Sequence, residues 1–214
     1  MTTTTRTAAP ALPPVVSGEE WQRARDELML AEKEATRALD VLAARRRRMP
    51  AMRFGNYTFT GPSGPVSLLD LFGDNHQLVT YQFMDVGPGN FCPGCTAFSR
   101  NIVNLDGLAR NGVSWANISE MPIEQIQEIT SREGWTMPFV SSRGTNFYQD
   151  SGVVGFMLSV FLRDGDDIYR TWNTASRGVD RLMFIHNILD IVPYGRQEDW
   201  EDSPEGWPQA PTYG

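Results

Sequence analysis

The order of strand and helix signals predicts an α/β fold: a central mixed sheet with helices on both faces, plus one N-terminal helix. Three observations predict it. Two short hairpin patterns bracket the body, one around Gly61-Pro62-Ser63-Gly64 and one around Asp164-Gly165-Asp166. Between them, apolar runs of strand length alternate with runs of helical period, which joins parallel strands through helices. Ahead of both lies a long helical pattern with its own start and stop signals.

Residues 1–16 are rich in Thr, Ala and Pro and read as a disordered tail. Ser17-Gly18-Glu19-Glu20 fits a capping box, and Trp21, Arg25, Leu28, Ala31, Ala35, Leu39 and Leu42 then recur with helical spacing. This helical segment, residues 17–50, ends in Arg45-Arg46-Arg47-Arg48 before Pro50; positive charge complements the last turn of a helix and proline stops it. The body, residues 51–194, opens with strands at Tyr57–Thr60 and Pro65–Leu68. Leu68–Gly73 follows as a helical turn closed by glycine, then a buried strand at His76–Met84. A Gly/Pro loop leads to Cys92-Pro93-Gly94-Cys95. Phe98, Ile102, Leu105 and Leu108 predict one helix running to Asn111-Gly112. Val113–Ser119 is a strand, Pro122 opens a helix carrying Ile123, Ile126 and Ile129, and Pro138–Ser142 is a short strand. The second hairpin pairs Ser159–Arg163 with Asp167–Trp172, and a last helix holds Leu182, Phe184, Ile185, Ile188, Leu189 and Ile191. Residues 195–214 form a Gly/Pro/Trp/acid-rich tail with little periodicity.

Composition narrows the function. With 214 residues the chain is long enough to bury a core without staples. Nineteen basic against twenty-six acidic side chains give a net charge of −7, which argues against a nucleic-acid partner. Lys33 is the only lysine and follows no glycine-rich loop, so neither a P-loop nor a Schiff-base site is expected. No apolar run approaches the ~20 residues of a membrane span, and the N-terminus has no signal-peptide core. No membrane association and a cytoplasmic location are the expectations. In a reducing compartment two cysteines three positions apart point to redox or metal chemistry rather than to a structural disulfide.

The chemistry is expected at Cys92 and Cys95. Their motif follows a strand and opens a helix, where unpaired N–H groups and the helix dipole stabilise a thiolate on the first cysteine. Pro93 suits a first helical turn, having no N–H to lose. Cys92 would attack a disulfide or oxidised sulfur and Cys95 would resolve the mixed species. Buried inert thiols and half a zinc site are the alternatives. Zinc is disfavoured because there is no second Cys pair and no spaced His pair, so no metal is expected. No bound cofactor is required either, because two sulfurs store both electrons.

Several stretches together resemble the thioredoxin superfamily, and more narrowly the bacterial thioredoxin-like family catalogued as domain of unknown function 899. They are Val66–Gly73, Phe91-Cys92-Pro93-Gly94-Cys95, Gly134–Ser142, Val160–Gly165 and Pro193-Tyr194-Gly195-Arg196. The resemblance covers roughly residues 20–200 and implies a thioredoxin-like (peroxiredoxin-like) fold and a thiol-disulfide oxidoreductase. The sequence departs from thioredoxins twice: Gly155-Phe156-Met157-Leu158 has no proline where they place one before the last hairpin, and Phe91 stands where they have Trp. A peroxiredoxin-like thiol peroxidase is the second reading. Yet Gly89 occupies the position three before Cys92, where peroxiredoxins carry an activating Thr or Ser; Arg143 or Arg163 would have to serve the thiolate. A third reading is a retooled scaffold that binds or transforms a small organic ligand.

Other residues are expected around the cysteines. Asp85 ends the strand feeding the loop and is a candidate acceptor for the Cys95 proton. Phe91 and Pro93 flank the nucleophile. Trp135, Ser141, Arg143 and Phe147 surround a loop leaving the carboxyl end of a strand, the edge where open α/β sheets bind ligands, and are expected to wall the Cys92 pocket. The expected partners are a disulfide or small-molecule substrate and an unidentified thiol electron donor. The N-terminal helix has two options, packing on its own body or pairing with a second chain in a homodimer.

Overall fold

The computed structural model describes residues 12–211. They fall into two compact units, Arg48–Met183 and a second made of residues 12–47 with 184–211. The first unit runs to Met183. Met183 is the last apolar side chain buried in its core.

The smaller unit contains helix α1 (Gly18–Arg46), with Ser17 as N-cap. The capping box is present in full: the Ser17 hydroxyl accepts from the Glu20 N–H at 3.2 Å, and the Glu20 carboxylate accepts from the Ser17 N–H at 3.0 Å. Arg45 and Arg46 lie in the last turn, as the charge pattern indicated. The C-terminal residues of this unit are organised around Arg196, whose guanidinium grips both Asp190 oxygens at 2.6 Å, while Tyr194 meets Trp207 edge-on at 5.3 Å. Residues 1–11 of the expected disordered tail, and residues 212–214, lie outside the described residues.

The larger unit carries an eight-stranded mixed sheet: β1 (Met52–Phe54), β2 (Thr58–Gly61), β3 (Gly64–Ser67), β4 (Gln77–Phe83), β5 (Val113–Ser119), β6 (Phe139–Ser141), β7 (Met157–Asp164) and β8 (Asp167–Thr174), in the order β1-β8-β7-β4-β5-β6-β2-β3. β4, β5 and β6 are parallel, β7 runs antiparallel to β4, and both expected hairpins, β2–β3 and β7–β8, form. Alternation along β4 sorts the core into two. Leu78 joins Phe59, Phe72, Ala116, Ile118, Phe147 and Phe161 on one face. Tyr81 and Phe83 join Phe98, Ile126, Ile129, Phe139 and both cysteines on the other. The second face is covered by α2 (Pro93–Arg100) and α4 (Ile123–Glu133), the first by α5 (Phe147–Ser151).

Two expected helices differ. The run after the cysteines is broken into α2 and α3 (Leu105–Ala109), because Asn104 adopts a left-handed backbone (φ 58°) and caps α3 by accepting from the Gly107 N–H at 3.1 Å. The last apolar run is a 3₁₀ segment (Ser176–Leu182) followed by the short α6 (Phe184–Leu189), which buries none of its residues.

Candidate functional site

The parallel β4–α2–β5 connection places Cys92 and Cys95 where the carboxyl end of β4 delivers the chain into α2. Cys92 is the N-cap of α2, and its Sγ accepts the backbone N–H of Cys95 at 3.2 Å. A sulfur thus does the work a serine or aspartate oxygen does at other helix starts. Pro93 takes the first helical position. Both cysteines are buried, Cys92 with 8% exposure and Cys95 with 1%, so the first is the less enclosed of the two.

This arrangement separates the two thiols. Cys92 is pulled down to about 6, first by the hydrogen bond from the Cys95 side chain and then by the backbone N–H groups of Cys95 and Gly94, against the opposing effect of burial. Cys95 is pushed up, because its proton is the one shared with the Cys92 thiolate and because it is buried; hydrogen bonds from the Met84 backbone and the Tyr81 side chain only partly offset this. The pair therefore holds one ionised and one protonated sulfur near neutral pH.

The loop between β4 and Cys92 is tied down. The Asp85 carboxylate accepts the Gly87 N–H at 2.9 Å with one oxygen and meets Arg143 at 3.2 Å with the other. Gln125, on α4, donates from Nε2 to the carbonyls of Gly87 at 3.1 Å and Asn90 at 2.8 Å. Gly87 and Gly89 supply left-handed turns, φ 96° and 70°. Arg132 lies over the Phe91 ring at 4.5 Å, shielding one flank of the loop. Replacing Gln125 with Ala leaves two loop carbonyls without their donor. The expected result is a loss of about 1–2 kcal/mol, read as faster amide hydrogen exchange confined to residues 86–91.

The residues named from the sequence do not all converge. Phe91, Pro93, Cys92 and Cys95 are contiguous in space as in sequence, and Asp85 and Arg143 meet at the edge of the same loop. Asp85 makes no hydrogen bond to either sulfur, and both its oxygens are committed elsewhere. Ser141 is buried and donates to the Met121 carbonyl at 2.6 Å. Phe147 belongs to the core on the opposite face of the sheet. Trp135 packs edge-on against Phe83 at 6.5 Å and lines an open apolar groove of about 1000 Å³ with Leu105, Ile126 and Met137, which neither cysteine borders. Three residues at the site were not singled out by sequence: Tyr81, Met84 and Gln125. Tyr81 had a signal, a phenol on the same β4 face as Phe83. Met84 and Gln125 had none, since their roles depend on how α2 and α4 settle on the sheet.

A family model described as a bacterial protein of unknown function (DUF899) matches residues 10–213. No curated protein matches the sequence. Among solved structures, the chain is similar to the peroxidoxin BcpB from Mycobacterium tuberculosis: 19% identity, 63% of this chain and 94% of that one, TM-score 0.48. It is also similar to a secreted Mycobacterium tuberculosis disulfide oxidoreductase homologous to E. coli DsbE, with 17% identity, 59% and 91% coverage and TM-score 0.42. A DsbF homologue from Corynebacterium diphtheriae gives 16% identity, 62% and 85% coverage and TM-score 0.43. The mixed sheet with helices on both faces is thioredoxin-like, in keeping with the resemblance read from the sequence. Among the described residues no helix is long and apolar enough to cross a membrane.

Proposed function

We propose that this chain, which belongs to the bacterial family of unknown function DUF899, is a dithiol–disulfide oxidoreductase working in a reducing, cytoplasmic compartment. The observation that carries the reading is the Cys92 sulfur capping α2, held ionised beside a protonated Cys95. In the forward direction the Cys92 thiolate attacks one sulfur of a substrate disulfide and expels the other as a thiolate. Cys95 then loses its proton and attacks the Cys92 sulfur of the mixed disulfide. The second substrate thiol departs, and the chain is left with a Cys92–Cys95 disulfide, two electrons poorer. A thiol donor returns those electrons.

The peroxidase reading finds less support. It needs a guanidinium at the thiolate, whereas Arg143 is engaged by Asp85 and the Glu120 carbonyl (2.9 Å) and Arg163 lies over the Phe72 ring at 5.9 Å. A Cys95→Ser variant mixed with a small disulfide such as oxidised glutathione is expected to accumulate one mixed disulfide on Cys92, visible as an intact-mass adduct. Cys92→Ser is expected to form none. Disulfide reduction by Cys92→Ser at the wild-type rate would end the reading. Peroxide consumption dependent on Cys92, with no adduct from glutathione disulfide, would favour the peroxidase instead.

A further inference from the structure

The active thiols have a third sulfur beside them. Met84 leaves the end of β4, and its Sδ lies 3.9 Å from Cys92 Sγ. Its backbone at the same time hydrogen-bonds the Cys95 sulfur, so one residue touches both cysteines. Gly155, just before β7, borders the Met84 thioether, with a Cβ built there at an ordinary contact distance of 3.6 Å from the sulfur. The surroundings are apolar, with Tyr81, Phe91 and Phe156 in the same cluster. Among the described residues no Asp, Glu or His joins the cysteines in a group able to hold a metal.

Two thiolates and a thioether, with no carboxylate or imidazole beside them and only the neutral Tyr81 phenol hydrogen-bonded to the Cys95 sulfur, form a soft ligand set. Soft sulfur ligands select Cu(I) over hard cations, and Zn(II) ordinarily requires a fourth donor that this set does not supply. Three sulfurs arranged trigonally at roughly 2.3 Å from a metal, the usual metal–thiolate length, stand about 4 Å from one another; the Met84–Cys92 separation is 3.9 Å, and the Cys95 thiol hydrogen-bonds the Cys92 sulfur.

We propose that the reduced protein binds one Cu(I) ion through Cys92, Cys95 and Met84. Binding displaces the Cys95 proton to solvent and leaves the two-thiolate, one-cation site with a single negative charge; no electron is transferred. The site shares its thiols with the oxidoreductase reading but does not depend on exchange activity. A metal-loaded chain is simply withdrawn from that exchange, because both sulfurs are occupied.

The test is an oxygen-free titration of the fully reduced full-length chain with Cu(I) presented as its bathocuproine disulfonate complex. The chain is expected to extract one equivalent per chain with no change of oligomeric state by native mass, and X-ray absorption is expected to show three sulfur scatterers. Met84→Leu conserves volume and should keep the fold. In that variant the coordination is expected to fall to two sulfurs and the affinity by roughly tenfold or more, the scale on which changes around a metal act. Copper held by only two sulfurs in the unmodified chain, equal affinity in Met84→Leu, copper shared between two chains, or no extraction from the chelator would each overturn the proposal. Glutathione-disulfide trapping, run without metal, reads the oxidoreductase function separately.

Discussion

Reduced protein challenged with a small aromatic disulfide such as dithiodipyridine is expected to react first at one thiol, with a rate that climbs through a midpoint of about pH 6 and then levels. The midpoint follows from the Cys95 side chain and the backbone N–H groups of Cys95 and Gly94 converging on Cys92. An ordinary thiol, with a pKa near 8.5, is only about 0.3% ionised at that midpoint, against half for Cys92. The ionisation advantage is roughly 150-fold. A weaker base is also a weaker nucleophile, and over about 2.5 units that costs roughly tenfold. The net expectation is a rate roughly tenfold above that of a free cysteine near pH 6, crossing to slower than free cysteine at high pH. A profile with its midpoint near 8.5, or no crossing, would remove the basis for calling Cys92 the nucleophile.

The same depressed thiol sets a pH dependence of stability. A group whose pKa falls on folding stabilises the fold above its unfolded pKa, and that contribution is lost as pH drops through the folded value. For Cys92 the window runs from about 8.5 down to about 6. At neutral pH part of it is present, and because it stabilises the reduced form it makes the Cys92–Cys95 disulfide more oxidising than one formed from ordinary thiols. Cys95 has the opposite sign: raised on folding, it withdraws stability above about 8.5, where an unfolded thiol would ionise and the buried one does not. Denaturant midpoints of the reduced chain should therefore rise from pH about 6 to about 8.5 and then turn down, while the oxidised chain shows neither trend.

What sequence disclosed depended on whether the relevant physics was local. The two hairpins, the capping box at Ser17 and Glu20 and the placement of Cys92 at a helix start each involve residues within a few positions of one another, and each stands where expected. The break at Asn104 was hidden because Phe98, Ile102, Leu105 and Leu108 keep a helical period across it. β1 was missed because three residues become a strand only by pairing with β8, more than a hundred positions away. The order around Arg196 was hidden for a similar reason, since composition reads as tail while a bidentate grip on Asp190 organises it. In the site, the motif's position at a helix start was legible. Groups arriving from β4 and α4 were not: Tyr81 and Met84 reach the sulfurs, and Gln125 holds the loop, only through packing that no spacing rule encodes.

Phe147 gives the sharpest separation between core and site. The polar run before it suggested a pocket wall. In the structure it is 1% exposed and meets three rings nearly edge-on: Phe54 at 6.0 Å, Tyr57 at 5.3 Å and Phe59 at 5.1 Å. Such pairs contribute beyond the area they bury. Tyr57 extends the arrangement by donating to Asp150 on α5 at 2.6 Å, and burial together with that carboxylate pushes its phenol up to about 12. Phe147→Ala removes the ring on which the contacts between β1, β2 and α5 converge. The expected loss is about 3–5 kcal/mol, the range for emptying a buried aromatic site, read as a lower denaturant midpoint. The Cys92 reaction should keep its midpoint of about 6 in the folded variant, because the sulfurs lie on the other face of the sheet. Unchanged stability with a weakened reaction toward disulfides would instead return Phe147 to the substrate pocket.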